Sequence, residues 1–347
     1  MLLSICMPTL NRASYIGATL DSLLPQLGDD MEVVIVDGGS RDNTAEVVKA
    51  RSSACARIRY HLTPHLAAGL PKPSNVGYDR DCDHAVQLAR GRYCWLLPDD
   101  DLLVPDALSR LRPYLQSGVA LIIANAEARS MDLSKRLEAR RMKIHGDVTF
   151  ARGEADLVMS VAGKYLSYAG GVVVRRDWWL TKDRAKYYGT GFVHVGTIFQ
   201  APSDLDAIAI AKPLILLRYG NALWSDRAFA IWMYHWPELI WSLPLGDKAK
   251  KGVTPREPWR KVHFLTLFRA KECYGWREYR SLVERKALRW QERVTPALIA
   301  ATPAWILNAI ALLGVLVLGK RQSVHFFDLW ESRYNALSRV KRRNQDS

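Results

Sequence analysis

Apolar runs alternate with helical patterns along the first half of the chain. The runs predict buried strands, and the segments between them show the three-to-four-residue apolar spacing of amphipathic helices. The strands are LLSICM, MEVVIVD, ARIRYHL, YCWLLP and VALIIAN, and the helices are SYIGATLDSLLPQL, RDNTAEVVKARS, DHAVQLARG and PDALSRLRPYL. This repetition predicts an α/β fold with a doubly wound, mostly parallel sheet covered by helices on both faces.

Polar loops follow three of these strands directly. Residues 8–12 follow the first strand, 37–42 the second and 99–101 the fourth. Ligands of open α/β sheets bind at the carboxyl ends of the strands. One such loop is usually only a turn, but three at one edge of a sheet predict a binding site.

The third loop contains three adjacent carboxylates, Asp99, Asp100 and Asp101. Their mutual repulsion is unfavourable unless a cation or several hydrogen-bond donors neutralise the cluster. Capping the helix that begins near Pro105 would use at most one of the three. The cluster therefore indicates a functional site.

The second loop, VDGGSRDNT, offers two acidic side chains with different predicted roles. Gly38 and Gly39 allow close backbone approach behind Asp37, whose carboxylate can accept hydrogen bonds from a base N–H or a ribose hydroxyl. Asp42 or Asn43 can cap the helix that follows. We interpret Asp37 as the ligand candidate and Asp42 as structural.

Several enzyme classes lack their signature motifs in this sequence. It contains no GxGxxG dinucleotide motif, no GxxxxGK[ST] phosphate loop, no GxSxG elbow and no HExxH helix. These absences argue against a Rossmann dehydrogenase, a P-loop ATPase and the common hydrolases.

The segments SICMPTLNRASYIGATLDSLL, EVVIVDGGSRDNT and A-x-G-x-Y-x-x-x-L-x-DDD, in this order and spacing, resemble the family 2 glycosyltransferases of the GT-A fold. The resemblance covers roughly residues 1–125 and fades after about residue 200. NVGYDRDCDHAVQLARGRYCWLLPDDDLL is similar to the abequosyltransferase-like branch, with G-x-D-R before the helix and a DDD run. The resemblance implies transfer of a sugar onto a growing surface glycan such as O-antigen.

The resemblance also implies roles for individual residues. The donor-binding set is Pro8, Thr9, Asn11 and Arg12 around the nucleotide, Asp37 at its base, Asp79, Arg80 and Asp81 near the nucleotide sugar, and Asp99. Asp99 to Asp101 match the metal-binding motif, with Asp100 and Asp101 as the metal-ligand candidates, and Asp101 is also a catalytic candidate. Mg²⁺ or Mn²⁺ would stabilise the charge that develops on the departing nucleotide diphosphate. Because Pro98 aligns with the first Asp of the usual D-x-D-D, it stays open which carboxylate contacts the metal.

An inverting transferase of this family needs a general base, usually a carboxylate after a Gly-containing acceptor loop. SYAGGVVVRRDWW supplies such a loop through Gly170 and Gly171, but KYYGTGFVHVGTIFQ contains no Glu–Asp pair, and His194 lies near the expected position. A histidine with its ordinary pKa of about 6.5 suits proton transfer. His194 could instead contact the metal or diphosphate, or be a hydrogen-bonded core residue in a strand. The reserve candidates are Asp177, Asp183 and Asp204.

The second half of the chain is basic and rich in tryptophan. Of the net charge of +14, a share of +9 lies between Lys248 and Arg293, which contain 14 Lys and Arg against 5 Glu. Such helices suit the membrane interface, where lipid phosphates attract cations and indoles lie at headgroup level. Without a recognised binding module, we expect no nucleic-acid partner. The tryptophans between residues 224 and 290 are Trp224, Trp232, Trp236, Trp241, Trp259, Trp276 and Trp290.

An uncharged stretch of 25 residues runs from Thr295 to Gly319. A helix of this length could cross the ~30 Å hydrocarbon core, but Pro303 and Asn308 interrupt it and basic residues flank both ends. We favour a re-entrant or in-plane anchor over a full span, with a buried helical core as a further alternative. The predicted domains are a GT-A catalytic domain over 1–220, a basic helical region over 221–295, and an apolar membrane-associating segment with a basic tail over 296–347.

The leading hypothesis is an inverting, metal-dependent glycosyltransferase with a nucleotide-sugar donor and a lipid-linked glycan acceptor. It would be a peripheral or monotopic protein on the cytoplasmic face of the plasma membrane, in contact with anionic lipid. A polyprenyl-phosphate glycosyltransferase, whose acceptor needs no general base, is the alternative enzyme. A non-catalytic membrane-bound scaffold is the alternative from another class.

Overall fold

The computed structural model describes residues 1–63, 77–221, 227–286, 289–317 and 324–331. The chain divides into two compact units. The first comprises residues 1–128, 139–218 and 242–253, and the second comprises 129–138, 219–241 and 254–347. The first unit thus includes residues 242–253, which follow a segment of the second unit. The predicted boundaries at 220 and 295 stay predictions.

The sheet of the first unit is parallel in its first four strands, as the sequence predicts. These strands are β1 (Leu3–Thr9), β2 (Met31–Asp37), β3 (Ile58–Leu62) and β4 (Tyr93–Leu96). Their order is β3-β2-β1-β4, and every pair is parallel. Strands β1 and β2 are almost wholly buried, because helices cover both faces of a parallel sheet.

Beyond β4 the sheet becomes mixed. Strand β9 lies between β4 and β6 and is antiparallel to both, and β10 is antiparallel to β5 and β8. Counting strand–helix repeats does not predict these pairs, because they join segments far apart in sequence. The remaining strands are β5 (Leu102–Leu103), β6 (Leu121–Arg129), β7 (Arg136–Glu138), β8 (Val148–Phe150), β9 (Val172–Arg175) and β10 (Ala207–Arg218).

The helices of the first unit differ from the predictions at two places that matter for the site. Helix α3 begins at Gly77, so Asp79, Arg80 and Asp81 lie on its first turns. His194 lies on helix α7 and not on a strand. At the start of this helix, the N–H groups of Gly191 and Val193 donate hydrogen bonds to Asp79. The first seven helices are α1 (Ala13–Leu23), α2 (Thr44–Ser52), α3 (Gly77–Leu88), α4 (Ala107–Gln116), α5 (Ala155–Ala162), α6 (Arg176–Leu180) and α7 (Val193–Phe199).

The second half of the chain is helical, as expected. Phe229 stacks on Tyr274 at 4.6 Å between ring centroids, and Tyr234 stacks on Trp259 at 6.1 Å. The helices are α8 (Ala228–Ala230), α9 (Trp236–Ser242), α10 (Asp247–Val253), α11 (Val262–Ala270), α12 (Trp276–Glu278), α13 (Trp290–Ala301), α14 (Ala304–Val317) and α15 (Val324–Glu331). Helix α10 belongs to the first unit.

The tryptophans predicted to form one interfacial set do not share one environment. Trp236 and Trp259 are buried in the second unit, whereas Trp276 and Trp290 are 47% and 73% exposed. Trp224 falls outside the described residues. The prediction was wrong for the buried members because sequence spacing does not separate an indole that packs inside a helical core from one that faces outward.

In the described part of the chain, no single helix is both long and apolar enough to cross a membrane. Residues Glu292–Ala301 and Ala304–Val317 would match a span together in length and composition, but their axes are bent by 94°. The bend follows Pro303, at which the sequence predicts an interruption.

Gly91 provides a test of the packing between β1 and the end of α3. Its N–H donates to Ser4 Oγ at 2.8 Å, and a Cβ at this position would lie 2.5 Å from the Ser4 nitrogen. We therefore expect Gly91→Ala to lower the free energy of unfolding by about 1–3 kcal/mol. Gly146→Ala is the control, since no atom lies within 4 Å of the place that its new methyl group would occupy. Equal melting temperatures for the two variants would contradict this packing.

Candidate functional site

The carboxyl ends of β1, β2 and β4 bring the three predicted loops together. Thr9 pairs with Asp37 across β1 and β2, and the Asp triplet follows β4. The Arg12 guanidinium, from the loop after β1, lies 3.5 Å from Asp99 Oδ1 through Nε and 3.3 Å from Asp100 Oδ2 through Nη2. The predicted meeting of these loops at one sheet edge is confirmed. Pro8 and Thr9 end β1 beside them.

The loops after β1 and β2 are joined by hydrogen bonds. Asn11 has a left-handed backbone (φ 55°), its N–H donates to Ser40 Oγ at 2.8 Å, and its Oδ1 accepts the Arg41 N–H at 2.8 Å. Asp42 accepts the N–H of Ala13, at the start of α1, at 3.0 Å. These contacts confirm Asp42 as structural. They show that Asn11 shapes the loop, whereas its nucleotide contact stays a prediction.

Asp37 is held rigidly at the end of β2. It is 1% exposed, and Oδ1 accepts the N–H groups of Gly39 and Ser40 at 2.8 and 2.7 Å. Oδ2 accepts the Tyr60 hydroxyl, whose pKa is raised by burial and by this carboxylate. A carboxylate has about four acceptor positions, so Asp37 keeps capacity for one further donor. Its role at the nucleotide base stays a prediction.

The Asp triplet divides into a pair and a separate residue. Asp99 and Asp100 face Arg12, and burial together with the charge of Asp100 raises the pKa of Asp99 to about 7. Asp101 instead accepts the Arg218 N–H at 2.7 Å through Oδ1 and the Tyr168 hydroxyl through Oδ2. Each of its oxygens thus accepts one hydrogen bond, and the predicted roles of Asp101 as metal ligand and as catalytic residue stay predictions.

Electrostatically, the Asp99–Asp100 pair is suited to a cation. Burial and the charge of Asp100 raise the pKa of Asp99, so a further positive charge near the pair would be favourable. Carboxylate oxygens are also the ligands that Mg²⁺ and Mn²⁺ prefer. Within the described ranges, no group of three or more His, Cys, Asp or Glu side chains is arranged to hold a metal ion.

Sequence reasoning missed two residues beside the triplet. Arg218 Nε donates to the Asp100 carbonyl at 2.9 Å, and its guanidinium lies 5.1 Å from the Tyr15 ring centroid. Arg12 lies 5.5 Å from the same ring. Two guanidinium groups thus flank Tyr15 at the sheet edge. Arg218 ends β10 more than a hundred residues after the triplet, so no local pattern signals its position.

The predicted acceptor loop contacts the Asp triplet through Tyr168. The Gly170 carbonyl accepts the Trp95 Nε1–H at 2.7 Å, which fixes the loop against β4. A Cβ at Gly170 would lie 2.2 Å from the Tyr168 hydroxyl oxygen and 2.8 Å from Pro98 Cδ. Gly170 is therefore required for this close approach. The sequence located the loop, but only the fold shows that Tyr168 is the contacting side chain.

The acidic residues of α3 organise the loop before α7. Asp79 is 3% exposed and accepts the N–H groups of Gly191 and Val193 at 2.8 and 3.0 Å, while burial raises its pKa. Arg80 is exposed and lies over the Tyr188 ring at 5.4 Å, and Asp81 is buried. For Asp79 these contacts indicate a structural role. The predicted donor contacts of all three residues stay predictions.

His194 is buried, with 1% of its surface exposed. Its Nε2 lies 2.8 Å from the Leu166 carbonyl oxygen, so Nε2 carries the proton. Nδ1 has no hydrogen-bond partner among the described residues. Burial lowers the pKa of His194 to about 4. These features favour the core interpretation, and the role of His194 as base stays a prediction. The reserve candidates Asp177, Asp183 and Asp204 are exposed.

The chain resembles known glycosyltransferases in sequence. The family model described as glycosyl transferase family 2 matches residues 4–188. The abequosyltransferase RfbV of Salmonella typhimurium is 30% identical over 245 residues, which are 66% of this chain and 70% of that protein. A Campylobacter jejuni protein named GalNAc(5)-diNAcBac-PP-undecaprenol beta-1,3-glucosyltransferase is 28% identical over 148 residues, 42% of this chain and 45% of its own.

A solved structure supports the same fold. S. aureus TarS 1-349 superposes with a TM-score of 0.52 at 12% identity, covering 98% of this chain and 92% of that one. The predicted GT-A fold is confirmed, and so is the predicted glycosyltransferase activity. Because the family model matches more than half of its length, the chain belongs to glycosyl transferase family 2.

Proposed function

We propose that this glycosyltransferase is inverting and metal-dependent, and that it moves a sugar from a nucleotide-sugar donor to a lipid-linked glycan in the synthesis of an O-antigen-like surface polysaccharide. The observation that carries the proposal is the buried Asp99–Asp100 pair, facing Arg12 at the carboxyl edge of the sheet. The name of the Campylobacter relative, which includes PP-undecaprenol, supports the acceptor class. We further propose that the protein works on the cytoplasmic face of the plasma membrane.

Mg²⁺ or Mn²⁺ would be held by Asp100 with Asp99 beside it. Bound there, the ion would act as a Lewis acid that stabilises the negative charge on the diphosphate leaving group. The electrostatic reason for placing a cation here is the raised pKa of Asp99, which is caused by its burial and by its anionic neighbour Asp100. A cation at this place would favour the ionised form of Asp99.

The protein's own cations would orient the diphosphate. Arg12 and Arg218 flank the Tyr15 ring, and a planar guanidinium can bind phosphate oxygens in a bidentate manner. Arg12 already contacts both acidic side chains, so it lies where a diphosphate and its cation would meet. Asp101 would hold Tyr168 and the backbone of Arg218 in place around them.

The burial of His194 favours a second candidate, transfer to a polyprenyl phosphate. A phosphate oxygen is already ionised near neutral pH, so this acceptor needs no general base. A buried imidazole with a pKa of about 4 is a poor base for a sugar hydroxyl. Assays with a lipid-linked glycan and with a polyprenyl phosphate as alternative acceptors separate the two candidates.

The donor class can be tested directly by titrating the purified protein with UDP-, dTDP-, CDP- and GDP-sugars. We expect one nucleotide class to bind, and to bind more tightly with Mg²⁺ or Mn²⁺ than with a chelator. Binding that does not respond to metal would contradict the metal assignment. Absence of binding for all four classes would contradict the proposed donor.

Replacing Asp100 tests the metal-binding role. Because its carboxylate would contact the cation and lies in a loop, Asp100→Asn should lower the transfer rate by about 10²-fold or more. Its melting temperature should change little. The matched control is Asp29→Asn, at an exposed carboxylate 2.8 Å from Arg57 Nη1. Equal activity of the Asp100 variant and the wild type, with and without chelator, would rule out this role.

Replacing Tyr168 by Phe removes only the hydroxyl group that donates a hydrogen bond to Asp101. Tyr168→Phe should lower kcat by about tenfold or more through misplacement of the acceptor loop, while donor affinity stays nearly unchanged. Tyr114→Phe is the matched control, since its hydroxyl bonds Asp147 on the surface. If both variants keep full kcat, the loop does not depend on this contact.

His194 should reveal its role through pH dependence. Its folded pKa of about 4 lies below the unfolded value near 6.5, so stability is full above pH 6.5 and falls as the pH drops towards 4. In His194→Gln this fall in the free energy of unfolding between pH 6.5 and pH 4, which is about 3 kcal/mol at most, should be absent. Urea unfolding of both proteins at pH 7 and pH 4.5 measures the difference. A variant of unchanged stability whose transfer rate falls by about 10²-fold would instead identify His194 as the base.

A further inference from the structure

Helix α14 carries an exposed apolar stripe. Trp305, Ile310, Leu313 and Val317 are 59%, 60%, 63% and 80% exposed, and the spacing of the last three places them on one face of the helix. Leu298 on α13 is 63% exposed as well. The sequence has no charged residue between 294 and 319. A stripe of this size without charge is unusual on a surface that contacts only water.

The opposite face of α14 holds the helix to its own unit. Ala304, Asn308 and Leu312 are buried, and the Asn308 side-chain amide donates to the carbonyl oxygens of Ala270 at 3.1 Å and Leu329 at 2.9 Å. Asn308 is the polar residue that interrupts the apolar stretch in the sequence. Because it points inward, it leaves the outer face wholly apolar.

The apolar surface continues from α14 onto α11. A groove of about 610 Å³ is lined by Val262, His263, Thr266 and Leu267 of α11 and by Ala311 of α14. Val262 is 55% exposed, and the exposed Lys261 precedes it. A cationic side chain therefore lies next to the apolar groove at the start of α11.

Cationic and aromatic side chains also meet at the start of α13. Trp290 is 73% exposed and follows the exposed Arg289. Indoles and cationic side chains of this kind reside at the headgroup level of a bilayer, next to apolar side chains that enter the acyl region. Within the second unit, residues 254–293 contain 11 Lys and Arg against 5 Glu, and this net charge of +6 complements anionic headgroups.

From this chemistry we propose that the outer face of α14, with Leu298 of α13, inserts into the headgroup–acyl boundary of an anionic bilayer, the α14 axis lying parallel to the membrane plane. The inference deepens the proposed function, because it brings the enzyme to the surface that carries a lipid-linked acceptor. Helix α14 has 14 residues. At 1.5 Å per residue it is roughly 21 Å long, too short for a ~30 Å core.

The contacts of Asn308 give a second reason for the in-plane orientation. To cross or re-enter the bilayer, α14 would have to leave α11 and α15 and expose the Asn308 amide and its two carbonyl partners to hydrocarbon. In the plane, the inner face keeps these hydrogen bonds while the outer face contacts lipid. One helix thus serves as both core and membrane surface.

The test is flotation of the full chain with phosphatidylglycerol-containing vesicles and with pure phosphatidylcholine vesicles. We expect binding to the anionic vesicles, reduced by about tenfold or more in Leu313→Glu and in Ile310→Glu. Leu157→Glu is the matched control, since Leu157 on α5 is 48% exposed. The residual binding of the α14 variants should disappear at high salt, because only the cationic contribution remains.

Three results would overturn the proposal. They are failure of the wild type to float with anionic vesicles, unchanged flotation of both α14 variants, and a lipid-free dimer, seen by light scattering, that Leu313→Glu dissociates. Melting temperatures show whether each variant is folded. Because the two substitutions are at different positions, the test remains valid if one of the two variants does not fold. Nucleotide-sugar binding should be equal in all folded variants, so failure of the donor proposal remains distinguishable from failure of the membrane proposal.

Discussion

The buried negative charge at the carboxyl edge of the sheet is the constraint around which the first unit is arranged. Asp99, Asp100 and Asp101 cannot all be ionised there without partners, and the structure supplies these from distant parts of the chain. Arg12 comes from the loop after β1, Tyr168 from the loop before β9, and the backbone N–H of Arg218 from the end of β10. The pKa of Asp99 is nevertheless raised by its burial and by Asp100, which is the basis of the proposed cation site.

The same arrangement would hold the proposed donor and acceptor next to each other. Asp101 connects the donor edge of the sheet to the predicted acceptor loop through Tyr168. Gly170 permits the approach, because a larger residue would clash with Tyr168 and Pro98. A rigid donor edge and a loop fixed to it would satisfy the geometric demand of group transfer, in which small displacements of the reacting groups are costly.

In the second unit, one composition serves two purposes. Tryptophans and apolar helices form a core around Phe229 and Trp259, and they also leave an apolar stripe on α14. In helix α14 the hydrogen bonds of Asn308 fix which face packs into the core and which apolar face remains exposed. The helix therefore does not have to be apolar on all sides to contact lipid.

The sequence by itself determined the parallel strands β1 to β4, the three polar loops at their ends, and membership in a glycosyltransferase family. Strand periodicity and loop position are local properties, and parallel topology then brings those loops to one edge. Only the tertiary structure decided that β9 enters the sheet antiparallel and that Asp101 accepts the Arg218 N–H while Asp99 and Asp100 face Arg12. It also decided that His194 lies buried on a helix and that Asn308 faces inward. Each of these features depends on contacts between residues far apart in sequence. The local sequence around one residue of such a hydrogen-bonded or packed pair does not reveal which distant residue is its partner.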